Sequence, residues 1–437
     1  MSCCCEFNGC NQGAKVLAVI FDLDGTLLDT ERATRGVLNE FLARYGKELD
    51  REKEEKKRLG MTQKDSAAII VKDYELPLTP DQFIKEITPL YRERWAKAKA
   101  LPGANRLIKH LQKNGVPMAL ASNSLQENIE AKIYHHKGWK ESFSVILGSD
   151  QVKSGKPSPY LFEEAAKKMG VDAVNCLVIE DSFWQDNSNQ RVITDEKATV
   201  PPVMKPIIKV YHEPTICSYP NLEAYTDICG WLLSAKGYVT ASAAKFAMHI
   251  LCSHVNFCHA ANAAKMKVVA VPSRREADCN GLANAVLHSL LEFQPELWGL
   301  PPFDDWIDDT LPIDPLHLSG LYVTGCLQEA TENATLALPD QAVGLYFGWT
   351  KVDTDENLKI LVSINIDFSC VGYKKIHVYL IDANSELKHK QMMQIHLVGY
   401  IRAWDNKELT STELEKLDEY KSIARASLDL PSFTCCL

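Results

Sequence analysis

One pattern narrows the possible folds of this chain more than any other. Short apolar runs that end in acid, hydroxyl or glycine alternate with stretches of helical period. VLAVIF at 16–21 runs directly into Asp22-Leu23-Asp24-Gly25. From Leu101 the series resumes as LIKHLQKNG (helix), VPMALAS (strand), LQENIEAKIYHH (helix), FSVILGS (strand), PYLFEEAAKKMG (helix) and CLVIED (strand). Short buried strands joined by amphipathic helices pair in parallel, with the helices covering both faces of the sheet. In such sheets ligands gather beyond the carboxyl ends of the strands. The loops after VIF, ALAS, ILGS and LVIED are therefore predicted to converge on one site.

The expected fold class is α/β: a doubly wound parallel sheet with a helical cap, followed by a small β-barrel-like remnant domain. Residues 14–30 and 101–296 form the core. Residues 31–100 form the cap, because FLARYG, DSAAIIVKDY and DQFIKEITPLYRERW space their apolar side chains by three or four. The strand pattern breaks after Asp181. Residues 183–252, with PPVMKP, YHEPT and SYPN, show no clean period and read as an irregular insertion. Regular structure returns at AANAAKMKVVAVPS, a helix end and a strand, and 281–292 is expected to be one more helix. Residues 297–318 read as a proline-rich linker. Residues 319–437 carry the β-like runs VGLYFGW, LKILVSINI, KKIHVYLI and QIHLVGYI, and then a helix around 411–427.

A chain of 437 residues holds two or three domains. Its formal net charge of -9 argues against a nucleic-acid scaffold, which needs clustered Lys and Arg. The 14 cysteines include no CxxC pair, so neither a disulfide framework nor a paired zinc motif is expected. Free thiols in a reducing, cytoplasmic setting are the simplest reading. MSCCCEFNGC lacks the features of a secretory signal, and no apolar run of about 18 residues predicts a membrane span.

The chemistry begins at DLDGTLLDT, 22–30. Asp22 and Asp24 flank one residue in a tight turn. Such a pair suits Mg2+, which takes oxygen ligands and often few carboxylates. One carboxylate can attack phosphorus, while the other protonates the leaving alkoxide and then activates water. Gly25 would let backbone N–H groups approach a phosphate. The bland alternative is an acidic turn after a core strand. His249, Cys252, His254, Cys258 and His259 also crowd together, but their spacing fits a helix face better than a zinc site.

The string DLDGTLLDTE resembles the first motif of the haloacid-dehalogenase-like superfamily. That resemblance implies three further positions, which follow in order. Ser122 and Asn123 end ALAS and would hold phosphate oxygens. Lys156 in SGKPSP would neutralise the phosphoryl group. Glu180 and Asp181 end LVIED and would complete the metal site with Asp22 and the main chain of Asp24. The helical stretch becomes the cap that excludes water and reads the leaving group, with Gly60 and Met61 as a candidate substrate loop.

LPGANRLIKHL, GWKESFSVILGSD, GKPSPYLF, WGLPPFDDWIDDTLPIDP, GLYFGW and LVGYIR extend the resemblance to the plant bifunctional riboflavin kinase/FMN hydrolase family. This implies an N-terminal half that removes phosphate from FMN and a C-terminal barrel that phosphorylates riboflavin. Two departures stand out. The insertion 183–252 follows the metal acids directly, and a retained intron or gene-model error is one origin for it. In the kinase half, LYVTGCLQEATENATLALPDQ stands where the family has a glycine-rich segment ending in Pro-Thr-Ala-Asn. His377 stands where the family has a catalytic Glu. The expectation is a cytoplasmic Mg2+-dependent phosphatase acting on FMN or a similar small phosphorylated metabolite, with a degenerate, inactive kinase half. The rivals are an active riboflavin kinase and an inactive product of a disrupted gene.

Overall fold

A computed structural model describes residues 15–50, 63–181, 257–272, 283–328, 338–352, 357–366, 374–382, 390–403 and 411–434. The insertion 183–252, Gly60 with Met61, and the cluster from His249 to Cys252 and His254 lie outside them.

Six parallel strands build the first sheet: β1 (Ala18–Phe21), β2 (Met118–Ala121), β3 (Val145–Leu147), β4 (Cys176–Glu180), β5 (Lys267–Ala270) and β6 (Ala285–Val286). Their order is β3-β2-β1-β4-β5-β6. The order reverses between β1 and β4, and that reversal is where a doubly wound sheet opens a crevice. Strand residues alternate between the two faces. Val19, Phe21, Leu120, Leu177 and Ile179 join one core cluster. Ala18, Ile20, Ala119, Ala121 and Val178 join the other. Because both faces are covered, the strands read as continuous apolar runs. Each fully buried large side chain contributes about 1.5–3 kcal/mol.

The sheet is continuous across the expected insertion. Leu177, Val178, Ile179 and Glu180 of β4 pair with Lys267, Val268, Val269 and Ala270 of β5. The edge beyond β5 departs from expectation. Residues 283–292 hold β6 and a single turn at Leu290–Glu292 in place of a helix. Asn284 explains the change: its backbone N–H donates to Val268 O and its Oδ1 accepts from Val268 N, both at 2.8 Å. Two bonds to the open edge of β5 outweigh helical propensity there.

The cap is helical: α1 (Val37–Ala43), α2 (Gln63–Asp73) and α3 (Pro80–Trp95). Thr79 and Gln82 form a capping box at the start of α3, with Pro80 in the first turn, worth about 1 kcal/mol. Phe41, Ile70, Phe83 and Ile87 pack as the cap's own core. The sheet is covered by α4 (Ala104–Lys113), α5 (Gln126–Ile133), α6 (Tyr160–Met169) and α7 (Phe257–Ala263).

The C-terminal half is the expected β-barrel-like domain. The strands β7 (Leu311–Val323), β8 (Cys326–Gln328), β9 (Gly344–Lys351), β10 (Asn357–Ile366), β11 (Lys374–Leu380) and β12 (Gln391–Arg402) close into a barrel, in the order β10-β11-β8-β7-β12-β9. Tyr346, Ile360, Val362, Ile376, Val378 and Ile395 share one core. Leu345, Phe347 and Leu361 pack with Leu417, Ala424 and Leu428 of α8 (Ser411–Leu428). β7 begins inside the stretch expected as linker. The rest of that stretch is fastened to α4: Arg106 grips both Asp305 oxygens at 2.7 Å and lies 3.5 Å over Phe303, while His110 Nε2 lies 2.8 Å from Pro301 O.

Candidate active site

Asp22 follows the last residue of β1, and its backbone N–H donates to Ile179 O of β4. The first carboxylate thus sits at the reversal of strand order. Lys156 Nζ donates to Asp22 Oδ1 at 2.7 Å and, in a shorter bond, to Glu180 Oε1. The side chains of Lys156 and Glu180 are fully buried. Burial works against the charge of Lys156, but Asp22 and Glu180 outweigh it and lift its pKa above the ordinary value, so it stays protonated. Burial pushes the Glu180 carboxyl well up, against the pull of Lys156, and the charges of Asp22 and Asp181 push the same way. Burial likewise raises Asp22 against the pull of Lys156, with Asp24 adding to the push.

Asp22, Glu180 and Asp181 place carboxylate oxygens within 4.8 Å of one another. Two of these carboxylates, Asp22 and Glu180, share the buried lysine, and Glu180 Oε2 is buried without a hydrogen-bond partner. An oxygen-lined, electron-rich pocket with an orphaned acceptor fits a hard divalent cation. Gly25 has φ of +83°, and any side chain there would strike the Asp181 carboxylate. That clearance makes glycine necessary. The Gly25 N–H closes the turn onto Leu28 O at 2.9 Å.

Asp24 points away from this cluster. Its carboxylate accepts from Lys132 Nζ at 2.7 and 2.8 Å, from Thr30 Oγ1 at 2.7 Å and from Ser124 Oγ at 3.0 Å. Burial opposes its charge, but Lys132, Thr30 and Ser124 together hold the carboxyl below its ordinary value. Ser122 Oγ, 3.5 Å from Asp24 Oδ2, accepts from the Ser124 backbone N–H. The Asn123 side chain is engaged with the backbone of Lys156, accepting from Lys156 N at 2.7 Å and donating to Lys156 O at 3.0 Å. It positions the lysine.

Four loops therefore bring Asp22, Asp24, Ser122, Asn123, Lys156, Glu180 and Asp181 together. Sequence reasoning missed Lys132, Thr30 and Ser124. Lys132 carried a visible signal: it shares the buried side of α5 with Asn128, Ile129 and Ile133, where a lone lysine needs a partner. It also lies 4.9 Å from the Trp95 ring at the end of cap helix α3. His377 of β11 stands in the barrel wall, on the face opposite Ile376 and Val378 of the inner core. Its Nδ1 is 3.5 Å from Cys326 Sγ. Trp349 is a half-buried rim aromatic whose Nε1 donates to Phe433 O. Among the described residues no helix is long and apolar enough to cross a membrane.

Residues 16–186 match the family model for haloacid dehalogenase-like hydrolases, and residues 325–422 match that for riboflavin kinases. The second match agrees with the closed barrel: a riboflavin kinase domain follows the hydrolase domain. The chain is 36% identical over 428 residues to the bifunctional riboflavin kinase/FMN phosphatase of Arabidopsis thaliana, covering 95% of this chain and 94% of that one. It is 30% identical to a probable pseudouridine-5'-phosphatase of Drosophila melanogaster, over 67% of this chain and 97% of that one. A further relative is (DL)-glycerol-3-phosphatase 2 of Arabidopsis thaliana, 28% identical over 66% of this chain and 92% of that one. On the near full-length match, and on the two domains it spans, the chain belongs to the family of the bifunctional riboflavin kinase/FMN phosphatase, with a haloacid dehalogenase-like hydrolase domain followed by a riboflavin kinase domain.

Proposed function

We propose that the N-terminal domain hydrolyses FMN to riboflavin and phosphate, with Asp22 as nucleophile. The observation that carries the reading is the charge arrangement at the end of β1 and β4: Asp22, Glu180 and Asp181 gathered together, with the protonated Lys156 bonded to Asp22 and Glu180. An Asp22 oxygen attacks phosphorus as the bond to the flavin-side oxygen breaks. The leaving oxygen takes its proton from Asp24. Water then attacks the phosphoryl group on Asp22, its proton passes to Asp24, and free phosphate leaves. Lys132, Thr30 and Ser124 keep Asp24 ionised in the state described, so Asp24 must turn from Lys132 to act as an acid. Lys156 balances charge on the phosphoryl oxygens, and Ser122 supplies a hydroxyl beside them. Asp22, Glu180, Asp181 and the Asp24 carbonyl would hold Mg2+, which, when bound, neutralises phosphate charge.

The preference for FMN rests on the Arabidopsis relative. The test is release of riboflavin and phosphate from FMN with Mg2+ by the full chain, lost in Asp22→Asn and on chelation. Hydrolysis of p-nitrophenyl phosphate without hydrolysis of FMN would keep the reaction class and overturn the substrate.

A second reading, riboflavin kinase activity in the barrel, is supported by the family match over 325–422. Its measurement is FMN formation from riboflavin and Mg-ATP by the Asp22→Asn protein, which cannot consume the product. No FMN above the enzyme-free control would refute it.

A further inference from the structure

The nucleophile turn receives a hydrogen bond from the other domain. Gln341 Nε2 donates to the Gly25 carbonyl at 2.9 Å. Gln341 lies just before β9 and is buried, at 4% exposure. Its neighbours anchor it in the barrel: Leu338 and Ala342 belong to the barrel core. Lys374 Nζ, at the start of β11, donates to Ala342 O at 3.1 Å and also to Pro339 O. The amide is therefore presented by a loop anchored in the barrel. At the receiving end, Gly25 N–H is tied to Leu28 O, and Gly25 leaves only enough room for Asp181. The peptides on the two sides of Gly25 are thus held separately, the first by Leu28 of its own domain and the second by Gln341 of the barrel, between Asp24 and the Thr26 hydroxyl that donates to Asp22 Oδ2 at 3.3 Å. The neighbouring Asp340 acts on the same region, since its charge is felt by Asp29 and Arg32 at the end of the motif.

We infer that Gln341 is a positioning residue for the phosphatase reaction, supplied in cis by the kinase barrel. It holds the turn so that the Asp22 and Asp24 carboxylates and the Asp181 cleft keep their relative placement. A buried carbonyl that loses its donor is costly, and small displacements of reacting groups cost large factors in rate. The phosphatase then depends on the docked barrel even if it draws nothing from kinase chemistry. This inference rests on the phosphatase reading of the Asp22 site, but not on FMN as the substrate.

The experiment uses the full chain with p-nitrophenyl phosphate and Mg2+, comparing wild type, Asp22→Asn, Gln341→Leu and Gln341→Glu. Leucine removes the donor at similar volume, and glutamate turns a carboxylate toward the carbonyl. Rates are expressed per folded molecule, with the folded fraction read by circular dichroism well below the thermal midpoint. Gln341→Leu is expected to lower kcat about tenfold with KM within about twofold of wild type, and Gln341→Glu to lower it further. A structural role alone would leave kcat per folded molecule unchanged, and that result would overturn the inference. Wild type no faster than Asp22→Asn would overturn the phosphatase reading and this inference together. Wild type active with both Gln341 variants equal to it would overturn this inference alone.

Discussion

Replacing Lys156 by methionine keeps an unbranched side chain, one atom shorter, and deletes its charge. In the folded protein the Nζ is shared by Asp22 and Glu180, and its own exposure and that of Glu180 are 0%. Removing one partner of a buried ion pair costs about 3–5 kcal/mol, because the charge left behind has neither water nor a counter-ion. Glu180 relieves part of this by taking a proton, since burial already pushes its carboxyl upward. The lower end, about 3 kcal/mol, is expected. For a domain of this size that corresponds to a fall of about 6–12 °C in Tm. Turnover should fall by about 10²–10³-fold, the usual loss when one preorganised charge partner leaves a phosphoryl site. The double variant Lys156→Met with Glu180→Gln separates the two effects. A glutamine needs no counter-charge, so most of the stability returns while turnover does not. Thermal unfolding at neutral pH and p-nitrophenyl phosphate hydrolysis measure both. A single variant that melts within about 2 °C of wild type and keeps more than about a tenth of its kcat would refute the argument.

Three further outcomes are expected. Lys132→Met frees Asp24 from its cation and unpairs its carboxylate, so kcat should drop about 10- to 100-fold with Tm lowered modestly; wild-type kinetics would show that Lys132 has no part in turnover. His317 and His396 face each other across β7 and β12 with ring centroids 3.6 Å apart, and burial first, then nearby positive charge, holds both below the ordinary 6.5. The unfolded chain therefore binds protons that the folded chain resists, so stability is lost as pH falls through about 6.5; a Tm difference between wild type and His396→Gln that is flat with pH would contradict this. Because β4 and β5 pair in register on either side of it, residues 183–252 should be removable with the sheet and phosphatase activity retained; a deletion variant that is soluble but unfolded would show that the segment supports the core.

The convergence of four strand ends was legible because each loop carries its chemistry at a fixed place after an apolar run. The acids and Lys156 could be found without distances for that reason. Lys132 was not: the lone lysine in QENIEAKI signals a need for a partner, but that partner, Asp24, is 108 residues away. Gly25 and Asn123 were found as positions, but not the bonds to Leu28 O and to the Lys156 backbone that they make. Which N–H is free, and which amide is already engaged, depends on tertiary contacts. The barrel was undervalued for a different reason. The missing nucleotide motif concerns ligand loops, whereas closure of the wall depends on apolar strand residues such as those of GLYFGWTK and KKIHVYL, and those were intact. The helix expected at 281–292 lost to the open edge of β5.

The two ends of the first sheet are β3, of three residues, and β6, of two. A row of unpaired N–H and C=O groups invites a neighbouring chain to add a strand, and the invitation grows with the length of the row. Here each row is shorter than one ordinary strand. The barrel, being closed, adds none. Among the described residues, then, neither sheet offers a lasting template for edge-to-edge association. A chain whose strands are as apolar as VLAVIF and KILVSINI needs that protection when many copies are made at once.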